Sequence, residues 1–381
     1  MNTILKLKRF FIPLLVFVSL QFLSSQTDLS SVQIVKRIIL IGDAGEPAED
    51  KKEPVLIALE KNASEIKDST LIIFLGDNIY PSGLPDTEDS DRKEYERRIN
   101  DQVNVVINSE AKGIFIPGNH DWDRGSDKGW EQIRREGKFL NDKGLEKVSF
   151  LPLNGCPGPI VSNVGENIKI IILDSQWWLQ DEGTIPEKKD SLCNFCKEDE
   201  IASALDSIII NSGNNFIVVA AHHPLSTNGP HGGHFTWLDH IFPLRNLNEY
   251  LWIPLPIIGS LYPLVRGSGI SSQDLPSSEY QSMKNIIENV ISKYTGLVYA
   301  SGHEHALQVI DGKNENIYLV SGAGIWGHIE ESLGEGDNTV FSGKYEGFMM
   351  IDFLSDGNKL LSVIKVINEQ GESETVFSVF L

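Results

Sequence analysis

The chain has 381 residues, and its 53 acidic residues outnumber its 33 basic residues to give a net charge of −20. A surface this acidic repels nucleic-acid phosphates and anionic lipid head groups, so the composition argues against nucleic-acid binding. The length suffices for two average domains, although a large α/β fold can use all of it for one.

The first 25 residues have the pattern of a signal peptide. Basic residues within 6–9 precede an apolar stretch at 10–23, which Pro13 interrupts, and Ser24 and Ser25 provide a cleavage site. The stretch falls short of the about 20 apolar residues that a membrane span needs. We predict a signal peptide at 1–25, a linker at 26–36 and an exported protein, periplasmic or secreted, without stable membrane insertion. An uncleaved signal anchor is the alternative.

Three cysteines are consistent with export. Cys156 can pair with Cys193 or Cys196, which leaves one thiol, and sequence alone does not choose between them. The Cys193-Asn194-Phe195-Cys196 spacing also resembles a redox or zinc pair, but the chain has no second such pair to complete a structural zinc site.

Short apolar segments alternate with helical patterns along the chain. Strands are predicted at 37–41, 71–75, 113–116, 168–173, 216–221, 297–300 and 317–320, and terminal strands at 348–354, 359–367 and 375–381. Helices are predicted at 54–66, 92–107 and 199–210. The alternation favours a single α/β domain at 37–381 with at least partly parallel sheets. The Pro- and Gly-rich segment at 246–280 predicts a partly ordered loop insertion.

Five segments place metal-binding side chains directly after apolar runs. They are Gly42-Asp43-Ala44-Gly45, Gly76-Asp77-Asn78-Ile79-Tyr80, Gly118-Asn119-His120-Asp121, Val219-Ala220-Ala221-His222 and Gly302-His303-Glu304-His305. Open α/β sheets carry their functional sites outside the carboxyl ends of the strands. Because all five segments have this register, we predict that they form one site.

These motifs resemble those of the purple acid phosphatases within the calcineurin-like metallophosphoesterases. Most members of the wider group begin with Asp-x-His, whereas this chain has Gly45 at the histidine position and adds Tyr80 in the second motif. The resemblance implies a four-layer α/β/β/α sandwich with two adjacent metal ions. It implies seven metal ligands: Asp43, Tyr80 and His305 for the first metal, Asp77 as the bridge, and Asn119, His222 and His303 for the second.

The ligand chemistry suggests which metals bind. A phenolate such as that of Tyr80 is a hard anionic ligand suited to iron(III), whereas Asn119 with two imidazoles suits a divalent Fe, Zn or Mn. His222 and His223 are adjacent, and the Val-x-x-His spacing selects His222 as the ligand. Successive residues of an extended strand point to opposite faces, so we expect His223 to point away.

Two further histidines are predicted to transfer protons. The resemblance places His120 and His231 beside the phosphate, where a histidine can protonate the leaving oxygen. His234 and Arg266 are candidates for substrate contact, although a salt bridge is the simpler expectation for Arg266. Glu304 is expected to have a solvated or structural role, and His328 is expected equally at the pocket or at the surface.

The function that the resemblance implies is hydrolysis of phosphate monoesters by a metal-activated hydroxide, with a phosphorylated small molecule or protein as substrate. A phosphodiesterase or nucleotidase on the same two metals is the alternative, with its specificity set by residues 246–280. An inactive binding module and redox chemistry at iron are more distant alternatives. The intact ligand set argues against an inactive module.

Overall fold

The computed structural model describes residues 32–143, 146–180, 193–242, 244, 252–255, 259–329 and 332–381. In chain order the strands are β1 (Ile34–Ile41), β2 (Thr70–Phe74), β3 (Lys112–Phe115), β4 (Val148–Phe150), β5 (Ile160–Asn163), β6 (Ile168–Ile172), β7 (Phe216–Ala220), β8 (Val298–Ser301), β9 (Leu307–Asp311), β10 (Ile317–Ser321), β11 (Thr339–Gly343), β12 (Gly347–Leu354), β13 (Lys359–Val366) and β14 (Ser373–Phe380). The helices are α1 (Pro54–Ala63), α2 (Arg92–Asn108), α3 (Gly129–Asp142), α4 (Glu198–Ile210), α5 (Trp237–Ile241), α6 (Leu261–Gly267) and α7 (Ser278–Ile291).

The strands form two seven-stranded mixed sheets. The first has the order β14-β13-β12-β1-β2-β3-β4, with β1 to β4 parallel and β12 to β14 antiparallel. The second has the order β11-β9-β10-β8-β7-β6-β5, with β6, β7, β8 and β10 parallel. Since β1, β2, β3, β7 and β8 each lie within a parallel run, their carboxyl ends meet at one edge of each sheet.

The four layers follow from strands that are buried on both faces. Within β1, Ile38 and Leu40 join a hydrophobic core between the two sheets, whereas Ile39 and Ile41 pack with residues of α1, α2 and α3. Residues of α4 and α7 cover the far face of the second sheet. A fully buried aliphatic side chain contributes about 1.5–3 kcal/mol, so the continuous Ile- and Leu-rich strands drive this layering. The predicted four-layer α/β/β/α sandwich is confirmed.

All the predicted strands and helices are present, with ends shifted by at most a few residues. The sequence interpretation missed α3, α5, α6, α7 and the strands β4, β5, β9 and β11. Part of the predicted loop insertion at 246–280 is helical, because it contains α6 and the start of α7. Composition suggested a loop there because proline and glycine are typical of loops. In the structure, Pro263 and Gly267 instead lie within the seven-residue helix α6.

Cys156 forms a disulfide with Cys193, and Cys196 is not part of a disulfide. The bridge joins the segment before β5 to the segment before α4, and it is compatible with an exported protein. Among the described residues, no helix has the length and apolar character needed to cross a membrane. The predicted signal peptide lies outside the described residues.

Candidate metal centre

The loops that follow the parallel strands hold the candidate ligands in an unusual backbone conformation. Asp43 follows β1 with φ 59°, Asp77 follows β2 with φ 53°, and His303 follows β8 with φ 69°. Residues other than glycine rarely adopt positive φ, and such strain is commonly found at functional sites. Three strained residues at neighbouring strand ends therefore support a site at this edge.

Glycines allow these loops to approach one another closely. A Cβ atom on Gly118 would lie 2.3 Å from Oδ1 of Asp77, and one on Gly302 would lie 2.6 Å from Oδ2 of Asp43. Any side chain at either position would displace a carboxylate. The glycines that precede Asn119 and His303 are thus required by packing.

One group of polar atoms surrounds the hydroxyl of Tyr80. The hydroxyl oxygen lies 3.0 Å from Asp43 Oδ1, 3.2 Å from Asp77 Oδ2 and 3.1 Å from His305 Nε2. His305 Nε2 is 3.4 Å from Asp43 Oδ1. Metal–ligand distances of about 2.1 Å place neighbouring ligands of a tetrahedral site about 3.4 Å apart, so this spacing fits one metal ion.

A second group converges on the amide oxygen of Asn119. His222 Nε2 lies 2.9 Å and His303 Nδ1 lies 3.0 Å from Asn119 Oδ1. His222 Nε2 is also 3.5 Å from Oδ1 of Asp77. Asp77 therefore presents one carboxylate oxygen to each group, which is the arrangement of a bridging ligand.

Backbone carbonyl groups orient the two imidazoles of the second group. His222 Nδ1 lies 2.8 Å from the carbonyl oxygen of Leu75, and His303 Nε2 lies 2.9 Å from that of Gln273. A carbonyl only accepts, so each of these nitrogens carries the proton and donates. The other nitrogen of each ring then faces the cluster, so it is the atom that a metal ion would bind.

Burial and neighbouring charges shift the pKa values of the groups in the cluster. Burial, followed by the carboxylates of Asp43 and Asp77, raises the pKa of Tyr80 well above its usual value. For Asp77, burial opposes ionisation, but the imidazoles of His222 and His120 lower its pKa overall. Burial likewise opposes charge on His222, yet Asp77 and Asp43 raise its pKa to about 9. The cluster is thus a buried anionic site that favours positive charge.

The fully buried His223 has hydrogen-bond partners outside the two donor groups. Its Nδ1 lies 2.8 Å from the hydroxyl of Ser175, and its Nε2 lies 3.0 Å from the side-chain oxygen of Gln273. Ring nitrogens of His222, His223 and His303 do lie within 4.8 Å of one another, as do ligand atoms of Asp43, Asp77 and His222. The nitrogens of His223 contact Ser175 and Gln273, whereas His222 Nε2 faces Asn119 and Asp77, so only the second trio belongs to the two donor groups.

His120 and His231 lie beside different donor groups of the cluster. His120 Nδ1 donates to the carbonyl oxygen of Pro81 at 2.7 Å, and its Nε2 lies 3.9 Å from Asp77 Oδ2. Burial lowers the pKa of His120, despite the nearby charge of Asp77. The His231 ring lies 3.9 Å from the His303 ring, between centroids. Both therefore lie beside the candidate ligands.

The remaining sequence candidates differ in their surroundings. Arg266 forms a salt bridge with Asp274 at 2.6 Å, the simpler of the two roles expected for it. His234 is exposed and lies near Gly334. Glu304 is fully buried and accepts hydrogen bonds from Thr227 and from the backbone of His231. Of the two roles expected for Glu304, solvated or structural, its burial excludes the solvated one.

Three residues near the cluster had no clear sequence signal. Gln273 and Asp274 come from the segment before α7 and contact His303 and His231, respectively. No sequence motif surrounds them, so the sequence did not predict these contacts. The exposed His328 lies with its ring 4.4 Å from that of His305, between centroids, so it belongs to the rim of the site.

A family model for calcineurin-like phosphoesterases matches residues 36–307, so the chain belongs to the calcineurin-like phosphoesterase family. The family and the clustered ligands together imply bound divalent metal ions. A search of curated protein sequences finds no significant match.

Solved structures of similar fold include a purple acid phosphatase, PPD1, isolated from yellow lupin (Lupinus luteus) seeds, with a TM-score of 0.53, 14% identity and coverage of 92% of this chain and 53% of that chain. Another is PhoD, with a TM-score of 0.54, 12% identity and coverage of 91% and 72%, respectively. A third is GAP50, the anchor in the inner membrane complex of Plasmodium, with a TM-score of 0.47, 15% identity and coverage of 92% and 89%. This chain therefore spans about half of the lupin phosphatase chain, and for the lupin enzyme and PhoD identities this low show a common fold alone.

Proposed function

We propose that this protein is a phosphoric-ester hydrolase of the purple acid phosphatase type that cleaves phosphate monoesters at a centre of two metal ions. The observation that carries the proposal is the carboxylate of Asp77, whose two oxygens face two different donor groups. A single carboxylate between two cations offsets their mutual repulsion, and two-metal sites with metals about 3.5–4 Å apart are typical of phosphatases.

The residues that would hold the metals form two sets, which correspond to the two donor groups. Asp43, Tyr80 and His305 would hold one ion, Asn119, His222 and His303 the other, and Asp77 both. The first set contains a phenolate oxygen, which favours iron(III). The second set contains a neutral amide and two imidazoles, which suit a divalent Fe, Zn or Mn.

The position of Gly45 supports the purple acid phosphatase assignment. A Cβ atom at this position would lie 2.4 Å from the backbone nitrogen of Ile79. A histidine ligand at position 45 is therefore sterically excluded unless the backbone moves. Tyr80, 3.0 Å from Asp43, supplies the anionic donor instead.

Bound metal ions would supply a water nucleophile of lowered pKa and neutralise charge on the phosphate. The chain's own contribution is to orient the ester and protonate its leaving oxygen. His120, with its Nδ1 proton donated to Pro81, has Nε2 available on the side of the cluster. His231 packs against the candidate ligand His303. Either histidine supplies the leaving-group proton through its Nε2 when the ring is protonated.

We place this activity outside the cytoplasm, on phosphorylated small molecules or proteins and not on nucleic acids. The disulfide between Cys156 and Cys193 supports export, and the net charge of −20 disfavours polyanionic substrates.

Metal analysis combined with a substrate panel tests the proposal. The purified protein should hold about two metal ions, at least one of them iron, and should hydrolyse aryl phosphate monoesters faster than diesters. Fewer than one bound metal per chain after supplementation with iron and zinc would refute the two-metal centre. Faster cleavage of diesters would instead make the protein a phosphodiesterase on the same site.

A further inference from the structure

Asp274 lies at the centre of a buried ionic contact beside the candidate metal centre. It precedes α7 and is 1% exposed. Arg266, from α6, donates to both of its carboxylate oxygens, from Nε at 2.8 Å and from Nη2 at 2.6 Å. The two bonds fix the carboxylate in one plane, because a guanidinium forms a rigid fork.

The same carboxylate contacts His231. Oδ1 of Asp274 lies 3.0 Å from Nδ1 of His231, and the carbonyl oxygen of Gln273 lies 3.1 Å from that nitrogen. The backbone N–H of His231 donates to Glu304 Oε2 at 3.2 Å. The ring itself packs against His303. His231 is therefore held at its backbone, at one ring nitrogen and on one ring face.

We propose that Asp274 is a positioning residue for His231, and that Arg266 acts through Asp274 instead of contacting the substrate. The inference rests on the proposed function, in which His231 protonates the leaving oxygen. Asp274 keeps the Nδ1 proton in place and stops the ring from flipping, so that Nε2 stays directed away from Asp274. Arg266 in turn keeps Asp274 charged and correctly oriented.

The contacts of the Nδ1 atom support this division of roles. The Nδ1 atom also lies 2.9 Å from Nη2 of Arg266. Arginine only donates, and Nδ1 cannot both accept from Arg266 and donate to Asp274. The carboxylate of Asp274 and the carbonyl of Gln273 both accept hydrogen bonds, whereas only Arg266 donates. The two acceptors therefore favour the tautomer of His231 in which Nδ1 carries the proton.

The first test reads the histidine directly and needs no activity. In zinc-loaded protein labelled with ¹⁵N-histidine, the His231 Nδ1–H should give a downfield proton signal, assigned by its loss in His231→Asn. Asp274→Asn should shift this signal upfield or abolish it, while the metal content stays the same. An unchanged signal in Asp274→Asn would overturn the proposal even if the protein hydrolyses no phosphate ester.

The second test uses the leaving group. With phenyl phosphate, whose leaving oxygen needs a proton, Asp274→Asn should lower kcat roughly tenfold, as is common when an orienting partner is removed. With 2,4-dinitrophenyl phosphate, whose leaving group needs little help, kcat should change less than about twofold. In a His231→Asn background, Asp274→Asn should have no further effect on the ratio of the two rates. Equal losses on both substrates would show that Asp274 has only a structural role.

A matched control separates positioning from general destabilisation. Asp352 forms an equivalent buried two-bond contact with Arg37, at 2.6 and 3.0 Å. Asp352→Asn should destabilise the fold in the same way and leave the leaving-group dependence unchanged. Should Asp274→Asn fail to fold, Arg266→Gln removes the clamp and leaves the carboxylate in place. It should show a smaller loss with the same dependence on the leaving group, and a uniform loss in that variant would also contradict the proposal.

Discussion

Replacement of Tyr80 by phenylalanine probes the proposed phenolate ligand. The variant keeps the ring and its packing against His120, at 4.3 Å between centroids, and removes only the oxygen. In the metal-free protein the raised pKa of Tyr80 keeps the hydroxyl protonated. One proton makes one good hydrogen bond, and the shortest contact is to Asp43 at 3.0 Å. Hydrogen bonds to charged groups contribute about 1.5–3 kcal/mol, so the metal-free variant should lose that much stability.

The metal-loaded protein should change more visibly. If the Tyr80 phenolate binds iron(III), the oxidised wild type should show a visible charge-transfer band, and Tyr80→Phe should abolish it. Loss of an anionic ligand should also make the first metal weaker bound and easier to reduce. Activity should fall only in part, because Asp77, His120 and His231 remain.

The assay combines visible spectra, metal content and urea unfolding of the two proteins. Tyr318→Phe is the matched control, because Tyr318 is also buried and its hydroxyl donates to a carboxylate, that of Glu288, at 3.2 Å. That control should lose comparable stability and keep its metals and its spectrum. A colourless iron-loaded wild type, or a Tyr80→Phe variant with an unchanged spectrum, would refute the phenolate ligand.

Further predictions concern stability, ligand choice and export. Burial raises the pKa of Glu136 to about 8 from an ordinary 4.5. The protonated Glu136 therefore contributes fully to the free energy of unfolding below pH 4.5, and this contribution is lost as pH rises to about 8. At 1.36 kcal/mol per pKa unit, Glu136→Gln should stabilise the metal-free protein by up to about 5 kcal/mol at about pH 9 and hardly at all at about pH 4, measured by urea unfolding; equal effects at both would contradict this. His222→Asn should lose about one metal ion per chain, whereas His223→Asn should retain both, as metal analysis would show. Residues 1–30 fused to a reporter active only outside the cytoplasm should give a signal, and activity confined to a cytoplasmic reporter would contradict export.

Local patterns determined the strands and the polar residues that follow them. Apolar runs such as 37–41 and 71–75 are buried on both faces, so hydrophobicity alone predicts them as strands. Asp43 and Asp77 come directly after such runs, and parallel strands bring their carboxyl ends together. The order of the motifs therefore predicted a single site, whereas the choice of seven candidate ligands came from the family resemblance.

Short or irregular segments were not predictable in this way. The missed helix α7 is amphipathic and begins after the turn that contains Asp274, within a region whose Pro and Gly content indicated a loop. The contacts of that turn with the site join residues about 30 to 45 positions apart, those of Gln273 with His303 and of Asp274 with His231. No local pattern encodes such a pairing, because loop geometry and not periodicity brings the two segments together.

Tertiary structure also decided the chemical state of each group. The sequence could name His222 and His303, but only the carbonyl groups of Leu75 and Gln273 determine which ring nitrogen faces the cluster. Likewise the pairing of Cys156 with Cys193 depends on the distance between their Cα atoms, 5.4 Å, and not on their spacing along the chain. Residue types and their order are properties of the chain, whereas tautomers, pairings and pKa values depend on neighbours that only the fold supplies.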